Sequence, residues 1–167
     1  MNPWIAFSVV IAAQLCVFLV IAILQKRSIG SLLLILGKAA YLGFVFGIPF
    51  DLCIGQYLTI YSYVNGFGLP FLMVKGFLSF GLWAATVLLL TEKRLLEFCL
   101  YVGVICAVYE ITNYIFPVWQ WSINDSVFIE FCIVLVGYFG LALSGAVVTS
   151  ILFKIHFRCL EWRLTHT

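Results

Sequence analysis

Five long apolar segments recur along the chain, each about as long as a helix that crosses a lipid bilayer. Crossing about 30 Å of hydrocarbon takes about 20 apolar residues in a helix, whereas the strands of a membrane barrel would give shorter, alternating segments. Because 65% of the residues are hydrophobic and 10% are charged, an ordinary soluble domain is excluded. We predict an all-α, polytopic transmembrane bundle in which residues 1–167 form one integral membrane domain. The predicted helices cover 3–24, 29–55, 69–91, 95–116 and 127–153.

The distribution of basic residues predicts the orientation of these helices. Segment 3–24 has no basic residue before it and exceeds the apolar core of about 7–15 residues in a signal peptide, so we interpret it as a retained helix. Loops 56–68 and 117–126 contain no Lys or Arg. The positive-inside rule then predicts an outside N-terminus and a cytoplasmic C-terminus, in a bacterial inner membrane or an endomembrane. The basic residues of the opposite side are Lys26, Arg27, Lys93, Arg94, Lys154, Arg158 and Arg163.

Charge and cysteine content argue against several classes of function. The net charge of +2 is spread over short loops and the tail, which is not a nucleic-acid-binding pattern. The six cysteines show no CxxC spacing and mostly lie in apolar runs, where cysteine behaves as a small hydrophobic residue. The two histidines lie in the tail without partners at metal-ligand spacing. We therefore expect no nucleic acid, metal or cofactor, and the lipid bilayer as the main partner.

Pairs of small residues four positions apart predict close contacts between helices. Such pairs allow backbones to approach each other and can also support a helix–helix oligomer. Lys38 lies well inside the second apolar segment. A lysine at that depth must reach towards the membrane surface, pair with an acid or line a polar cavity. The small-residue pairs are Gly43 and Gly47, Gly81 and Ala85, and Gly140 and Ser144.

A polar stretch, YEITNYIFPVWQWS, ends the fourth apolar segment at 109–122. Glu110, Asn113, Tyr114 and Pro117 recur in it at helical spacing, so a continuous helix would place them on one face. Proline then ends the helix, and two tryptophans follow. This stripe is the strongest indication of a functional site in the sequence.

Four ionisable residues are predicted near the outer third of the bilayer, on four different helices: Asp51, Lys75, Glu110 and Glu130. Intramembrane ionisable groups indicate function. A cluster of this kind can contain both an acid and a base, because desolvation favours a protonated carboxyl while a nearby lysine keeps one ionised. Structural alternatives stay open: Glu130 can face the headgroups, Lys75 can extend to the interface, and Asp51 can cap a distorted helix.

The two outer halves of the chain share a pattern. Asp51 precedes Tyr61 and Tyr63, and Glu110 precedes Trp119 and Trp121 at similar spacing. Membrane folds built from duplicated helix sets place ligand sites where the copies meet. Chance is the competing explanation, because aromatic residues make up 17% of the chain and are common at membrane interfaces.

A resemblance to a known group of enzymes rests on part of this pattern. Four short motifs, DxxxG at 51–55, YxY at 61–63, GxGxP at 66–70 and GxW at 81–83, resemble those of small integral-membrane isoprenoid enzymes. These are the lycopene cyclase domain, the carotenoid hydratases and the membrane-bound meroterpenoid cyclases. The resemblance covers about 45–122 and implies that Asp51 and Glu110 correspond to the paired acids of those families. The chain departs from the lycopene cyclase domain after Pro70, where Phe71 and Leu72 replace adjacent glutamates.

These observations predict a membrane enzyme that acts by acid–base catalysis on a hydrophobic, isoprenoid-like small molecule. Such cyclisation, hydration or isomerisation needs an acid that protonates an alkene or epoxide, a water-excluding cavity and aromatic faces that stabilise carbocations. Glu110 and Asp51 are the candidate catalytic residues. The same aromatic residues also suit simple interface anchors. The candidate substrate-binding residues are Lys75, Asn113, Tyr61, Tyr63, Trp83, Trp119 and Trp121.

Two other classes of function remain open. A small transporter or channel subunit would use Asp51, Lys75 and Glu110 as a relay and would have an aqueous path continuing past Lys38. A structural or assembly subunit would use its small-residue faces to bind partner helices, and would have a lipid-facing groove without an enclosed site. An enzyme would have an apolar cavity to which Glu110 or Asp51 is exposed.

Overall fold

The structure is a computed structural model, and it describes residues 3–53, 61–63, 69–121 and 127–161. Within these residues the regular secondary structure is helical apart from one pair of short strands, and five helices are long and apolar enough to cross a membrane, which confirms the predicted number. The elements are α1 (Pro3–Leu24), α2 (Ile29–Cys53), β1 (Tyr61–Tyr63), α3 (Leu69–Leu89), α4 (Leu95–Ile115), β2 (Trp119–Trp121) and α5 (Val127–Phe153).

Helix α3 lies at the centre of the bundle, because it packs against α1, α2 and α5, while α4 packs against α1 and α5. The main core is formed where these helices meet and includes Phe18, Leu89, Phe98 and Ala146. A second, smaller core lies at the end of the bundle where α3 begins. It consists of Ala6, Phe7, Val10, Phe71, Val118 and Trp119.

Glycines allow α2 and α3 to cross in close contact. A Cβ atom added at Gly43 would lie 2.5 Å from the carbonyl oxygen of Phe77, and one at Gly47 would lie 2.4 Å from that of Gly76. Gly81 faces the same crossing, since its Cα would lie 3.2 Å from a Cβ at Gly43. Gly43, Gly47 and Gly81, from the small-residue pairs predicted on α2 and α3, therefore lie at a helix contact, in which no side chain larger than hydrogen fits at Gly43 or Gly47.

The small-residue pair on α5 lies in a different environment. A Cβ atom added at Gly140 would meet no described atom within 4 Å, and Ser144 is exposed. Within the described part of the chain, this pair forms no close helix crossing of the kind made by α2 and α3.

The C-terminal half of α2 is not a regular α-helix. It is π-helical at Gly43–Gly47 and again at 51–53. Pro49 explains the distortion, because proline lacks an amide N–H and its ring crowds the carbonyl group four residues earlier. The wider π turn relieves that conflict. As a result Gly43, Gly47 and Asp51, spaced four residues apart, all face α3.

A short hairpin-like pairing joins the segment after α2 to the segment after α4. Strands β1 and β2 are antiparallel, with Tyr61 opposite Trp121, Ser62 opposite Gln120 and Tyr63 opposite Trp119. The two aromatic motifs identified in the sequence are therefore paired through their backbones. The side chains of Tyr61, Tyr63 and Trp121 lie outside the described part of the structure. We call this end of the bundle the hairpin end.

The opposite end, which we call the basic end, contains the turns between α1 and α2 and between α3 and α4. Lys26, Lys93 and Arg94 lie in these turns, and Lys154 follows the last residue of α5. Lys26 and Lys154 each have a φ of 52°, so left-handed residues terminate α1 and α5.

The segment after α5 folds back on the basic end. The amide of Arg158 donates a hydrogen bond to the carbonyl oxygen of Thr91 (2.8 Å), and Phe157 and Cys159 are buried against the main core. Burial raises the pKa of the Cys159 thiol above its usual value, and the Cys99 thiol adds to this effect. The segment therefore packs on the turn between α3 and α4.

Candidate functional site

A buried ion pair connects the hairpin end of α2 to α3. The ammonium nitrogen of Lys75 lies 2.9 Å from Oδ1 of Asp51, and the side chains are 8% and 0% exposed. The glycine crossing explains the contact, because Asp51 lies one turn after Gly47 and Lys75 adjoins Gly76, the residue that Gly47 touches. The structure therefore brings two of the predicted site residues together as counter-ions.

Aromatic rings cover the ammonium group of Lys75. Its nitrogen lies 5.7 Å from the ring centroid of Phe80 on α3 and 5.3 Å from that of Trp119 on β2. These distances allow cation–π attraction, which strengthens when the cation is desolvated. Trp119 thus links the segment after α4 to the ion pair between α2 and α3.

Asn113 fixes the position of Trp119. Its amide oxygen accepts hydrogen bonds from the backbone N–H groups of Val118 (3.0 Å) and Trp119 (3.1 Å), and its amide nitrogen donates to the carbonyl oxygen of Trp119 (2.9 Å). Both lone pairs of the oxygen are therefore used within the protein. Asn113, predicted to bind substrate, is in this structure a positioning residue for Trp119.

Replacing Asn113 with leucine is expected to destabilise the protein measurably. The two buried N–H groups would lose their acceptor, and each unsatisfied buried group costs about 1–3 kcal/mol. Thermal unfolding of the purified protein in detergent should occur at a lower temperature. Tyr114→Leu is the matched control, because Tyr114 is the next residue but is 82% exposed. Equal unfolding temperatures for Asn113→Leu and wild type would contradict the assignment.

Glu110 belongs to a second polar pair, between α4 and α5. The hydroxyl group of Tyr138 on α5 donates a hydrogen bond to Oε1 of Glu110 (3.0 Å). The Tyr138 ring packs edge-on against Trp83 at 5.2 Å between centroids, and Trp83 also contacts Tyr109 at 6.0 Å. Trp83, predicted to bind substrate, is therefore part of an aromatic cluster beside the carboxyl group.

The residues of the predicted polar stripe do not all face the same way in the structure. Asn113 is 6% exposed and faces the bundle, whereas Tyr114 faces outwards. Lys75 is paired with Asp51, and Trp119, which belongs to the polar stretch, lies against its ammonium group. The side chain of Glu130 lies outside the described residues.

Sequence reasoning did not identify Tyr138 or Phe80. Both lie within apolar helices among many other aromatic residues. The available signal for Tyr138 was weak: a tyrosine deep in an apolar segment requires a hydrogen-bond partner for its hydroxyl group. Phe80 had no comparable signal, because only its contact with Lys75 distinguishes it.

An apolar cavity of about 430 Å³ lies between α2, α3 and α5. It opens between α2 and α5, where Phe46, Cys53 and Ser144 are exposed at the surface. The hydroxyl groups of Ser144 and Thr149 donate to carbonyl oxygens of their own helix. Its wall includes Phe46, Phe50, Phe80, Trp83, Ser144 and Thr149.

Each polar pair is separated from this cavity by one aromatic side chain. Phe80 lines the cavity and also lies against Lys75, while Trp83 lines the cavity and contacts Tyr138. Among the described residues that form the wall, neither Asp51 nor Glu110 is present. The two carboxyl groups therefore lie near the cavity but are not exposed to it.

Comparisons of the chain with models of protein families, with curated proteins and with solved structures give no match.

Proposed function

We propose that this protein is a multi-pass integral membrane enzyme that binds a lipid-soluble, isoprenoid-like chain in the cavity between α2, α3 and α5. The observation that supports this most is the cavity itself. Its volume of about 430 Å³ is within the usual range for small-molecule sites, and its described wall is almost entirely apolar. The opening between α2 and α5 would admit such a chain directly from the bilayer.

The aromatic wall of the cavity suits carbocation chemistry. Proton transfer from a carboxylic acid to an alkene forms a C–H bond as the π bond breaks, and leaves a carbocation and a carboxylate. Ring closure onto a second alkene moves the positive charge to a new carbon. The reaction ends when the cation, or the water that has added to it, loses a proton to the carboxylate, which restores the acid. Faces of Phe46, Phe50, Phe80 and Trp83 can stabilise the positive charge. The apolar wall also keeps water away from the cation.

We assign the acid to Glu110 rather than Asp51. Asp51 is fully buried and ion-paired with Lys75, so using it as an acid would require the pair to break and Phe80 to move. Glu110 is partly exposed and accepts a hydrogen bond from Tyr138, whose ring packs against Trp83 in the cavity wall. In this proposal Asp51 and Lys75 hold the helices and the hairpin in place.

Glu110→Gln should abolish the change that the wild-type protein makes in the isoprenoid profile of expressing cells. A general acid typically contributes 10²- to 10⁴-fold to a rate, so product should fall at least about 100-fold. Glu92→Gln is the matched control, since Glu92 is exposed at the basic end. If lipid extracts of wild-type, Glu110→Gln and vector-only cells are all alike, the enzyme proposal is wrong.

A structural or assembly subunit is the second candidate. It is favoured by one specific observation: the groove opens towards lipid, and no carboxyl group is among the described residues of its wall. For this alternative, the lipid profile would be unaffected by any of the variants. Cross-linking from Ser144→Cys, placed at the groove, would instead capture a partner protein in the native membrane.

We also propose that the hairpin end faces outwards and the basic end faces the cytoplasm, following the distribution of Lys and Arg. An impermeant thiol reagent applied to intact cells should label Ser122→Cys and should not label Arg94→Cys. The unsubstituted chain provides the background from the native cysteines. Labelling of Arg94→Cys alone would show that the orientation is reversed.

A further inference from the structure

Lys38 is a cation inside an apolar helix to which the proposed reaction assigns no function. It lies nine residues after the start of α2, about 14 Å along the helix axis. Its ammonium nitrogen lies 5.6 Å from the ring centroid of Phe153, the last residue of α5. Among the residues that the structure describes, no carboxylate forms a salt bridge with it. Cation–π attraction to Phe153 offsets only part of the cost of a charge in this environment.

Lys38 lies on the face of α2 that forms the cavity wall. Leu42, four residues later, lines the cavity, and Phe46 continues the same face. On α5, Thr149 lines the cavity and Phe153 follows it by four residues. The Phe153 ring contacts Tyr41 at 5.9 Å, so α2 and α5 meet there. Lys38 therefore lies about one helical turn beyond Leu42, at the end of the cavity nearer the basic end, where its ammonium group contacts Phe153.

We propose that Lys38 and the cavity form a single binding site for an anionic, single-chain amphiphile. The carboxylate or phosphate head pairs with Lys38, and the hydrocarbon chain occupies the cavity. This inference rests on the proposed function, because it assumes that the cavity takes a chain, and it adds the chemical class of that chain's head group.

The polarity of the site supports this assignment. Ser144 and Thr149 donate their hydroxyl protons to their own helix, so the described wall selects for hydrocarbon along its length. The strong hydrogen-bond donor of the site is the ammonium group of Lys38, which lies at one end of it. A carboxylate or phosphate there would neutralise the cation by a charge-assisted hydrogen bond. The lateral opening between α2 and α5 allows the chain to enter from the bilayer.

Binding of matched anionic and neutral chains to the full-length protein in detergent tests this site. The probes are oleate against oleyl alcohol, and farnesyl phosphate against farnesol, which also separates carboxylate from phosphate heads. Lys38→Gln should weaken binding of at least one anion about tenfold or more, without changing its matched alcohol. Lys38→Arg should keep the affinity for the anion, because arginine preserves the positive charge. Lys26→Gln is the control, since Lys26 is exposed at the same end.

A second variant separates this inference from the proposed function. Gly145 lines the cavity, and a Cβ atom added there would meet no described atom within 4 Å. A leucine at this position would therefore fill part of the cavity, and Gly145→Leu should weaken the binding of anions and alcohols alike. If Gly145→Leu weakens the binding of anions and alcohols but Lys38→Gln changes the binding of neither, Lys38 only extends to the membrane surface and the inference is overturned. If the wild-type protein binds none of the four probes, or if Gly145→Leu changes nothing, the cavity does not take a chain and both proposals fail.

Discussion

Lys75→Met is expected to destabilise the protein severely, by about 3–5 kcal/mol. The substitution keeps the length of the side chain but leaves the carboxylate of Asp51, which is fully buried, without its counter-ion. It also removes the cation that lies against Trp119, so the segment after α4 should loosen as well. Thermal unfolding in detergent, followed by size-exclusion chromatography, should show early loss of the monodisperse protein.

The double variant Asp51→Leu/Lys75→Met tests whether Lys75→Met destabilises the protein by leaving a buried carboxylate unpaired or by removing packing contacts. Removing both charges should recover much of the stability, because replacing a buried ion pair by apolar side chains is often close to neutral. Lys26→Met is the control for loss of one positive charge at an exposed position. A double variant that is as unstable as the sum of the single variants would show that the charges do not act as a pair.

Gly47→Leu is also expected to destabilise the protein strongly, for a steric reason. Its Cβ atom would lie 2.4 Å from the carbonyl oxygen of Gly76 and 2.6 Å from Cβ of Phe80. Because the first of these atoms is backbone, α2 and α3 must move apart. Overpacking typically costs about 1–3 kcal/mol, and the shift would also separate Asp51 from Lys75. The yield of folded protein after detergent extraction should therefore fall sharply.

Gly37→Leu provides a control in the same helix. A Cβ atom at Gly37 meets nothing within 4 Å among the described residues, so leucine there should be tolerated. Gly47→Ala should already be destabilising, whereas Gly37→Ala should be neutral or slightly stabilising because alanine is the better helix former. Equal yields for Gly47→Leu and Gly37→Leu would mean that α2 and α3 do not cross at Gly47.

The outcome for the polar stretch after Tyr109 illustrates how far helical spacing can be used. Periodicity placed Glu110, Asn113 and Tyr114 on one face, and the helix ends at Ile115 as the following proline indicated. However, a helical face spans a wide angle, and its direction is decided by the neighbouring helices. Asn113 is directed inwards and forms hydrogen bonds with the backbone of Val118 and Trp119, while Tyr114 is directed outwards.

The ionisable residues show a similar division. Their separate identification as intramembrane charges needed only local hydropathy. Their partners depended on which helices meet and at what rotation: Lys75 meets Asp51 because the glycines bring α2 onto α3, and Glu110 meets Tyr138 because α4 packs on α5. The only signal for Tyr138 in the sequence was the weak one of a tyrosine within an apolar segment, which does not name its partner.

The sequence by itself determined that the chain has five long apolar helices, because this follows from local properties: runs of apolar residues long enough for a bilayer, with basic turns or proline between them. The predicted third and fourth helices, 69–91 and 95–116, end slightly earlier in the structure, at Leu89 and Ile115. Only the tertiary structure decided which side chains meet, that Tyr63 lies opposite Trp119, and that the cavity lies beside both polar pairs without including either carboxyl group. Such contacts join residues that are far apart in the chain. They depend on the rotation and close approach of whole helices, which no local pattern specifies.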